Sequence, residues 1–407
     1  MHNNNTIYKD SPLGKIPCDW EVKELEKITE KIGDGLHGTP EYVSSSEYYF
    51  INGNNLKDGL VQINADTKCV SKEEYLKHKK ELKYKTILLS INGTIGSIAF
   101  YKNENIVLGK SAAYINCKDE NVDYLYYYLQ SQSTVNFFEG ELTGSTIRNL
   151  SLKSIREIPV SLPPLREQKA IAHVLSLMDS AINTNNQLIE KKELQKKWLM
   201  QNLLTGKKRL KGFGLEWKNY RLEYFIEDYN EKPKDEIKYE VLTSAKAGLM
   251  KQTDYYGDNR ITNREDADYN IIPPNYLTYR SRSDDGLFTF NKNTLGFVGL
   301  ISGYYPVFTI KNGDLDFILM YCNFYRYKFK KYCIGTSQLV LSMNALKSAN
   351  FTLPKKEEQT AIAEVLQAAN KEIQLLKSKT EKLREQKKWL MQMLLTGKKR
   401  FKIANTQ

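Results

Sequence analysis

The residues able to do covalent chemistry in this 407-residue chain are few and poorly spaced for it. Gly109-Lys110-Ser111 has the ending of a phosphate-binding loop. Such a loop needs a glycine five positions before Gly109 so that successive amides wrap the phosphates, and that position is Glu104. Asp235-Glu236-Ile237-Lys238 sets carboxylates beside a lysine, as a magnesium-dependent nuclease would. So short a pattern is common in a chain with 27% charged residues, and it reads as a solvated loop. His2, His37, His78 and His173 lack metal-ligand spacing, and there is no Gly-x-Gly-x-x-Gly turn. Ile272-Pro-Pro-Asn-Tyr276 has the wrong order for an adenine-methylation loop. Five cysteines (Cys18, Cys69, Cys117, Cys322, Cys333) with no Cys-x-x-Cys pair read as reduced, mostly buried thiols. The sequence thus points to a chain that does no covalent chemistry itself.

Residues suited to recognition are more plentiful. The net charge of +12, from 60 Lys and Arg against 48 Asp and Glu, favours a polyanionic partner. No apolar run approaches the roughly 18 residues of a spanning helix, and the N-terminus lacks a signal-peptide core. That predicts a soluble, cytoplasmic protein with no membrane partner and makes nucleic acid the better polyanion. The glycine-rich loop Gly33 to Tyr42 carries His37, Thr39 and Tyr42 and could approach a groove closely, although a structural turn explains its glycines as well. Tyr279-Arg280-Ser281-Arg282-Ser283 offers two guanidinium groups for guanine or phosphate. Lys246, Lys251 and Gln252 flank Ala247-Gly248 in a comparable polar loop, and Thr146 with Arg148, and Ser337 with Gln338, follow Gly144 and Gly335. The 27 tyrosines include the run Tyr325-Arg-Tyr-Lys-Phe-Lys-Lys-Tyr332, which reads first as a helix with one aromatic face in a core.

The elements that must position these residues are set by an internal repeat. Leu162 to Arg209 aligns with Leu353 to Arg400 at a fixed offset of 191, with 26 of 48 positions identical and no gap. A weaker echo, Gly14 to Leu25 against Gly212 to Leu222, marks where each half begins, and the middles between these fixed points diverge. In the repeated segments Ile171, Leu175, Met178, Ile182, Asn185, Ile189, Lys192, Lys196, Leu199 and Leu203 step by four and three, and Ile362 to Leu394 keep the same register. This 3.5-residue spacing predicts long helices that pack on each other as a coiled coil. Pro163, Pro164 and Pro354 precede the helices, Glu167 and Glu358 suit their N-terminal dipoles, and Gly206 and Gly397 stand where a C′ glycine belongs. The Lys-Lys-Arg runs that follow complement the C-termini. About 40 helical residues would span on the order of 60 Å, a rod that can act as a ruler. The middles read as α/β. Runs such as Thr86 to Ile91 and Tyr305 to Ile310 are β-prone, and Asp123 to Phe138 and Asp316 to Tyr332 are helical.

Leu-Pro-x3-Glu-Gln-x-Ala-Ile-Ala-x-Val-Leu opening each helix, with Trp-Leu-Met-Gln-x-Leu-Leu-Thr-Gly-Lys-Lys-Arg closing it, resembles the specificity subunit of type I restriction-modification systems over essentially the whole chain. Gly33-Asp-Gly-Leu-His-Gly-Thr-Pro40, Ile51-Asn-Gly-Asn-Asn, Thr86-Ile-Leu-Leu-Ser and Gly93-Thr-Ile-Gly96 resemble one class of that family's target-recognition domains. Tyr239 to Leu249 and Tyr304-Tyr-Pro-Val-Phe308 resemble another. The resemblance implies an α+β fold: two tandem α/β target-recognition domains, residues 1–160 and 212–351, joined by two long helices, 161–211 and 352–407, packed as an antiparallel coiled coil in a pseudo-two-fold repeat. It implies a non-catalytic chain that reads a bipartite, gapped site in double-stranded DNA. Two methyltransferase subunits using S-adenosylmethionine would methylate adenine, and two motor-endonuclease subunits using ATP and Mg²⁺ would join where the system also cleaves. The competing reading is a two-domain coiled-coil scaffold with non-specific nucleic-acid binding, which would vanish at moderate salt.

Overall fold

The computed structural model describes residues 7–118, 122–142, 149–234, 239–245, 248–256 and 268–401. The chain forms two compact units, one from residues 1–186 with 378–407 and the other from residues 187–377. Each unit therefore contains one variable segment, part of the helix that follows it in sequence, and part of the other long helix.

The long helices run Leu165–Leu203 and Lys356–Leu394. Every residue of the predicted stripes is buried or half-buried. In the first unit Lys387 Nζ lies 2.6 Å from Asp179 and Arg384 donates to Asn186 at 3.3 Å. In the second, Lys192 pairs with Glu372, Glu193 with Lys377, and Lys196 donates to Asn370 at 2.7 Å. In the first unit positions 179 and 186 meet 387 and 384, and in the second 193 and 196 meet 377 and 370, so the packing is antiparallel. Gly206 and Gly397 both sit at φ +70°, where a side chain would be strained, and end the helices as predicted.

The first unit is built on an antiparallel sheet in the order Ile98–Phe100, Ile87–Ser90, Ala112–Cys117, Thr29–Asp34. Ile87–Ser90 and Ala112–Cys117 are buried at every position. Such apolar runs belong to a sheet covered on both faces. A second sheet orders Ile106–Leu108, Tyr49–Ile51, Cys69–Val70 and Tyr42–Val43, its first pair parallel. The predicted helix Asp123 to Phe138 is two helices, Val122–Tyr128 and Gln132–Glu141, because the Ser131 side chain accepts from Thr134 N and caps a new start. Trp20, fully buried, packs in one core with Ile171, Leu175, Leu394 and Leu395.

The second unit repeats that framework as Phe290–Lys292, Leu277–Tyr279, Val307–Ile310, Ile226–Tyr229. Its other sheet orders Gly248–Lys251, Glu240–Ala245, Gly299–Ser302 and Tyr269–Ile272, with a parallel pair between the middle two. The two second sheets share three strands and differ in the fourth. Tyr42–Val43 is added beside Cys69–Val70 in one, whereas Tyr269–Ile272 is added at the opposite edge in the other. The aromatic run is a 3-10 helix, Arg326–Tyr332, with Phe329 in the core and Tyr327 exposed. Cys117 and Cys322 are buried, their thiols pushed up to about 12 by desolvation, but Cys18 is exposed. Among the described residues no helix is long and apolar enough to cross a membrane.

Candidate nucleic-acid interface

Each framework is locked by an ion pair that the dipole argument did not anticipate. Glu358 is 3% exposed, and Arg209 Nε and Nη2 each donate to it at 2.5 Å. At the position 191 residues away in each case, Arg400 donates to buried Glu167 with two bonds of 2.7 Å. The tail arginines are thus buried-carboxylate partners rather than helix-dipole complements. Arg400 also grips Asp19 at 2.7 and 2.9 Å, and its guanidinium holds the Asp19 carboxyl below the usual aspartate value. Trp20 Nε1 donates to Glu167 at 3.2 Å. Trp217, which stands beside Arg209 as Trp20 stands beside Arg400, has a buried Nε1 with no partner. Identity of both arginines and both glutamates across the repeat was the available sequence signal.

In the second unit the candidate side chains converge on an edge of the recognition domain. Tyr279 is fully buried among Phe288, Phe290 and Phe308, and its hydroxyl donates to Leu341 O at 3.0 Å. Burial pushes that phenol well above its usual value. Tyr279 therefore anchors the strand and does not face a ligand, which corrects its place among the candidate contacts. The residues after it emerge: Arg280 and Arg282 are both exposed. Arg282 belongs to a short ribbon in which Arg282–Ser283 pairs with Leu339–Val340, and its guanidinium lies 4.3 Å from the Tyr304 ring centroid. A cleft of about 730 Å³ is lined by Arg280, Arg282, Arg326, Tyr255 and Leu287, with Asp284 and Asp285 at its side. Among the described residues none of the three arginines makes a salt bridge, although Asp284 and Asp285 line the same cleft. A neighbouring hollow of about 400 Å³ sets Gln252, Tyr304 and Gln338 beside Arg280 and Arg282. Gln338 donates to Asp284 at 3.3 Å, and Ser337 is exposed at the end of the ribbon. Lys251 stands apart, 3.4 Å from Glu240 and over the Phe297 ring. Lys246 lies outside the described residues. Arg326 and Tyr304 were not among the sequence candidates; the first was hidden in the aromatic run, and the second was quoted only as part of a motif.

In the first unit the loop after Thr29–Asp34 is held close to a turn. A Cβ on Gly35 would lie 2.2 Å from Leu108 O, so only glycine lets Leu36 N donate to that oxygen at 2.6 Å. His37 is exposed, with Nε2 2.7 Å from Asp34 Oδ2, and Thr39 is exposed beyond it. Tyr42 is exposed on the edge strand, with Lys68 Nζ 5.8 Å from its ring centroid, an aromatic-cation pair the sequence did not reveal. Gly109-Lys110-Ser111 is internal wiring: Ser111 Oγ accepts from Gly53 N at 2.9 Å and donates to Asn52 Oδ1 at 2.8 Å. Thr146 and Arg148, like Asp235 to Lys238, lie outside the described residues.

Comparison with known proteins places these features in a lineage. The family described as the type I restriction modification DNA specificity domain matches residues 17–194 and 216–385, once over each variable segment with most of its helix. The chain is 25% identical over 429 residues to the type I restriction enzyme MjaVIII specificity subunit of Methanocaldococcus jannaschii, covering 96% of this chain and 95% of that one. It is 28% identical over 215 residues to the MjaIX specificity subunit of the same organism, covering 48% of this chain and 47% of the relative. In fold it is similar to the crystal structure of the type I restriction-modification S subunit from M. genitalium. That match has a TM-score of 0.59 at 16% identity and covers 97% of this chain and 98% of the other.

Proposed function

The chain belongs to the type I restriction-modification DNA specificity family, and from that premise we propose that it reads a bipartite, gapped DNA site, one half-site per recognition domain. The observation that carries this reading is the repeat of one sheet framework with different edges. A framework held constant while its edge strand, clefts and exposed side chains change is what two different half-sites require. Residues 1–160 and 212–351 are the readers, and the helical segments 161–211 and 352–407 are the frame that fixes their spacing. In the second domain Arg280, Arg282 and Arg326 supply cationic groups to phosphate and to base edges, with Gln252, Ser337 and Gln338 beside them. In the first domain His37, Thr39 and Tyr42, with Lys68, do the same work; Thr146, Arg148, Lys246 and Lys251 are further proposed contacts. The chain supplies sequence information, while two methyltransferase subunits, and two motor-endonuclease subunits where present, carry S-adenosylmethionine, ATP and Mg²⁺ chemistry.

The test is modified-base sequencing of the host genome with this gene intact and deleted. Loss of a gapped N6-methyladenine motif on deletion is the expected result. Binding of the purified, assembled complex to that motif should also survive salt that removes binding to scrambled DNA. Binding without sequence preference that disappears at moderate salt would instead support the scaffold reading.

A further inference from the structure

After the buried strand Leu277–Tyr279 every second residue faces solvent: Arg280, Arg282 and Asp284 are exposed, whereas Ser281 and Ser283 between them are half-buried. That alternation puts Arg282 and Asp284 on one face of the ribbon that pairs Arg282–Ser283 with Leu339–Val340. Each of the two is held by a neighbour. The Arg282 guanidinium lies 4.3 Å from the Tyr304 ring centroid, and Gln338 Nε2 donates to Asp284 Oδ1 at 3.3 Å from the opposite strand's end. Asp285 has a different duty, since its Oδ1 accepts from Ser283 Oγ at 2.7 Å and from Leu287 N at 2.9 Å and so closes the turn. Asp284 is left at the outer corner of that turn. Among the described residues it makes no ion pair, although Arg280, Arg282 and Arg326 line the same cleft.

A carboxylate among cations that attract phosphate is repelled by the same phosphates. It is favourable there when the duplex itself donates a hydrogen bond to it, and the donors that base pairs show in the major groove are the amino groups of cytosine N4 and adenine N6. A two-stranded ribbon is an element that this groove admits. We propose that Asp284 is a specificity-determining residue that accepts a hydrogen bond from such a base amino group in the major groove, about two base pairs from the base that Arg282 reads. The spacing follows from the strand: two residues rise about 6.6 Å, and two base-pair steps rise about 6.8 Å. Arg282 has donors alone and suits the O6 and N7 acceptors of guanine, whereas ionised Asp284 has acceptors alone. The inference rests on the reading that this domain binds one half-site, and it adds what the ribbon demands there, an acceptor pair at one position and an amino donor at the other.

The experiment is modified-base sequencing of the host carrying the wild-type gene, Asp284→Ala, Asp284→Asn or Arg282→Ala, together with binding of each purified, assembled complex to the motif and to duplexes changed at one base pair. Asp284→Ala should make one position of one half-site degenerate, about two base pairs from the position that Arg282→Ala relaxes. The other half-site should stay intact, which shows that the complex still folds and assembles. Discrimination in binding at the relaxed position should fall between about 5- and 150-fold. Asp284→Asn tells the two amino groups apart: a side-chain amide pairs with adenine N6 and N7, so this variant keeps an adenine and shifts a cytosine towards adenine. If both Asp284 variants leave the motif unchanged, or strengthen binding to every duplex by a similar factor, the carboxylate merely repels phosphate; the proposal then fails while the DNA-reading assignment stands. An equal loss of binding to every duplex, or relaxation in the half-site that Arg282→Ala leaves alone, overturns it as well. If no motif depends on the wild-type gene, the DNA-reading assignment fails first and this inference falls with it.

Discussion

Replacing Arg209 with alanine should damage the protein more than replacing Arg400, although the two arginines occupy the same place in the repeat. Arg209→Ala strands Glu358, which is 3% exposed and has Arg209 as its ion-pair partner. Stranding one member of a buried ion pair costs about 3–5 kcal/mol. Arg209 is itself 24% exposed, so water can reach the site and the lower end applies, about 3 kcal/mol. Arg400→Ala strands Glu167, but the Trp20 indole still donates to it at 3.2 Å, a bond to a charged group worth about 1.5–3 kcal/mol. The Asp19 carboxylate also released by that change is half-exposed and costs little. The expected difference is therefore at least about 1 kcal/mol, with Arg209→Ala the worse. Because the units need not unfold together, urea titration should be read by hydrogen exchange on peptides of each unit, with the loss confined to the unit that carries the change. The double variant Arg209→Met/Glu358→Gln should recover most of the loss, since no buried charge remains. Equal costs for the two arginines, or a loss below about 1 kcal/mol for Arg209→Ala, would refute the argument that these buried carboxylates depend on the tail arginines.

Three further outcomes follow from the same geometry. Trp217→Phe removes a buried N–H that has no partner and should be neutral or slightly stabilising, whereas Trp20→Phe removes a bond to Glu167 and should cost about 1.5 kcal/mol or more; urea midpoints of the two variants compare them directly. Arg282→Ala should relax base choice at one position of one half-site by about 1–3 kcal/mol while the other half-site is unchanged, as scored by methylation motif sequencing; a uniform loss with a salt slope lower by about one would assign Arg282 to phosphate. Asp19 is held below its usual 3.8 by the Arg400 hydrogen bond, with burial opposing it, so its contribution is complete above pH 3.8 and is lost as pH falls through the depressed value. Acid unfolding of Asp19→Asn should accordingly converge with wild type only below that pH.

The long helices were legible because a 3.5-residue stripe states both element and partner: each predicted stripe residue, including the polar Lys196 and Lys387, is at least half-buried. Their end pairs were not legible in detail, since Glu167 meets Arg400 across 233 residues and spacing says nothing about so distant a contact. In the recognition domains the strand Leu277–Tyr279 was hard to orient. All three of its residues are buried in a sheet covered on both faces, so no polar alternation separates Tyr279, which is core, from Arg280, which is surface. The cleft needed the fold outright, because Arg280, Tyr255 and Arg326 come together from a strand end, a short helix and a 3-10 turn.

An internal repeat supplies, within one chain, a comparison that a single sequence otherwise lacks. Positions identical in both copies must satisfy the same demand twice, and burial sorts that demand. Where identity is buried, as at Glu167 and Glu358 or Ile171 and Ile362, the demand is closure of a unit. Each unit contains a tail from the opposite half, residues 378–407 in one and the stretch after 187 in the other. A change in one tail must therefore suit the recognition domain of the other half, and this reciprocity resists divergence. Where identity is exposed, as at Trp198 and Trp389, closure of the core does not require it. Where the domains differ at exposed positions, as Tyr42–Val43 of the first and Arg280 and Arg282 of the second do, each domain answers to its own target. Core and target are thus separable by two observations per residue, identity across the repeat and exposure, before any ligand is seen.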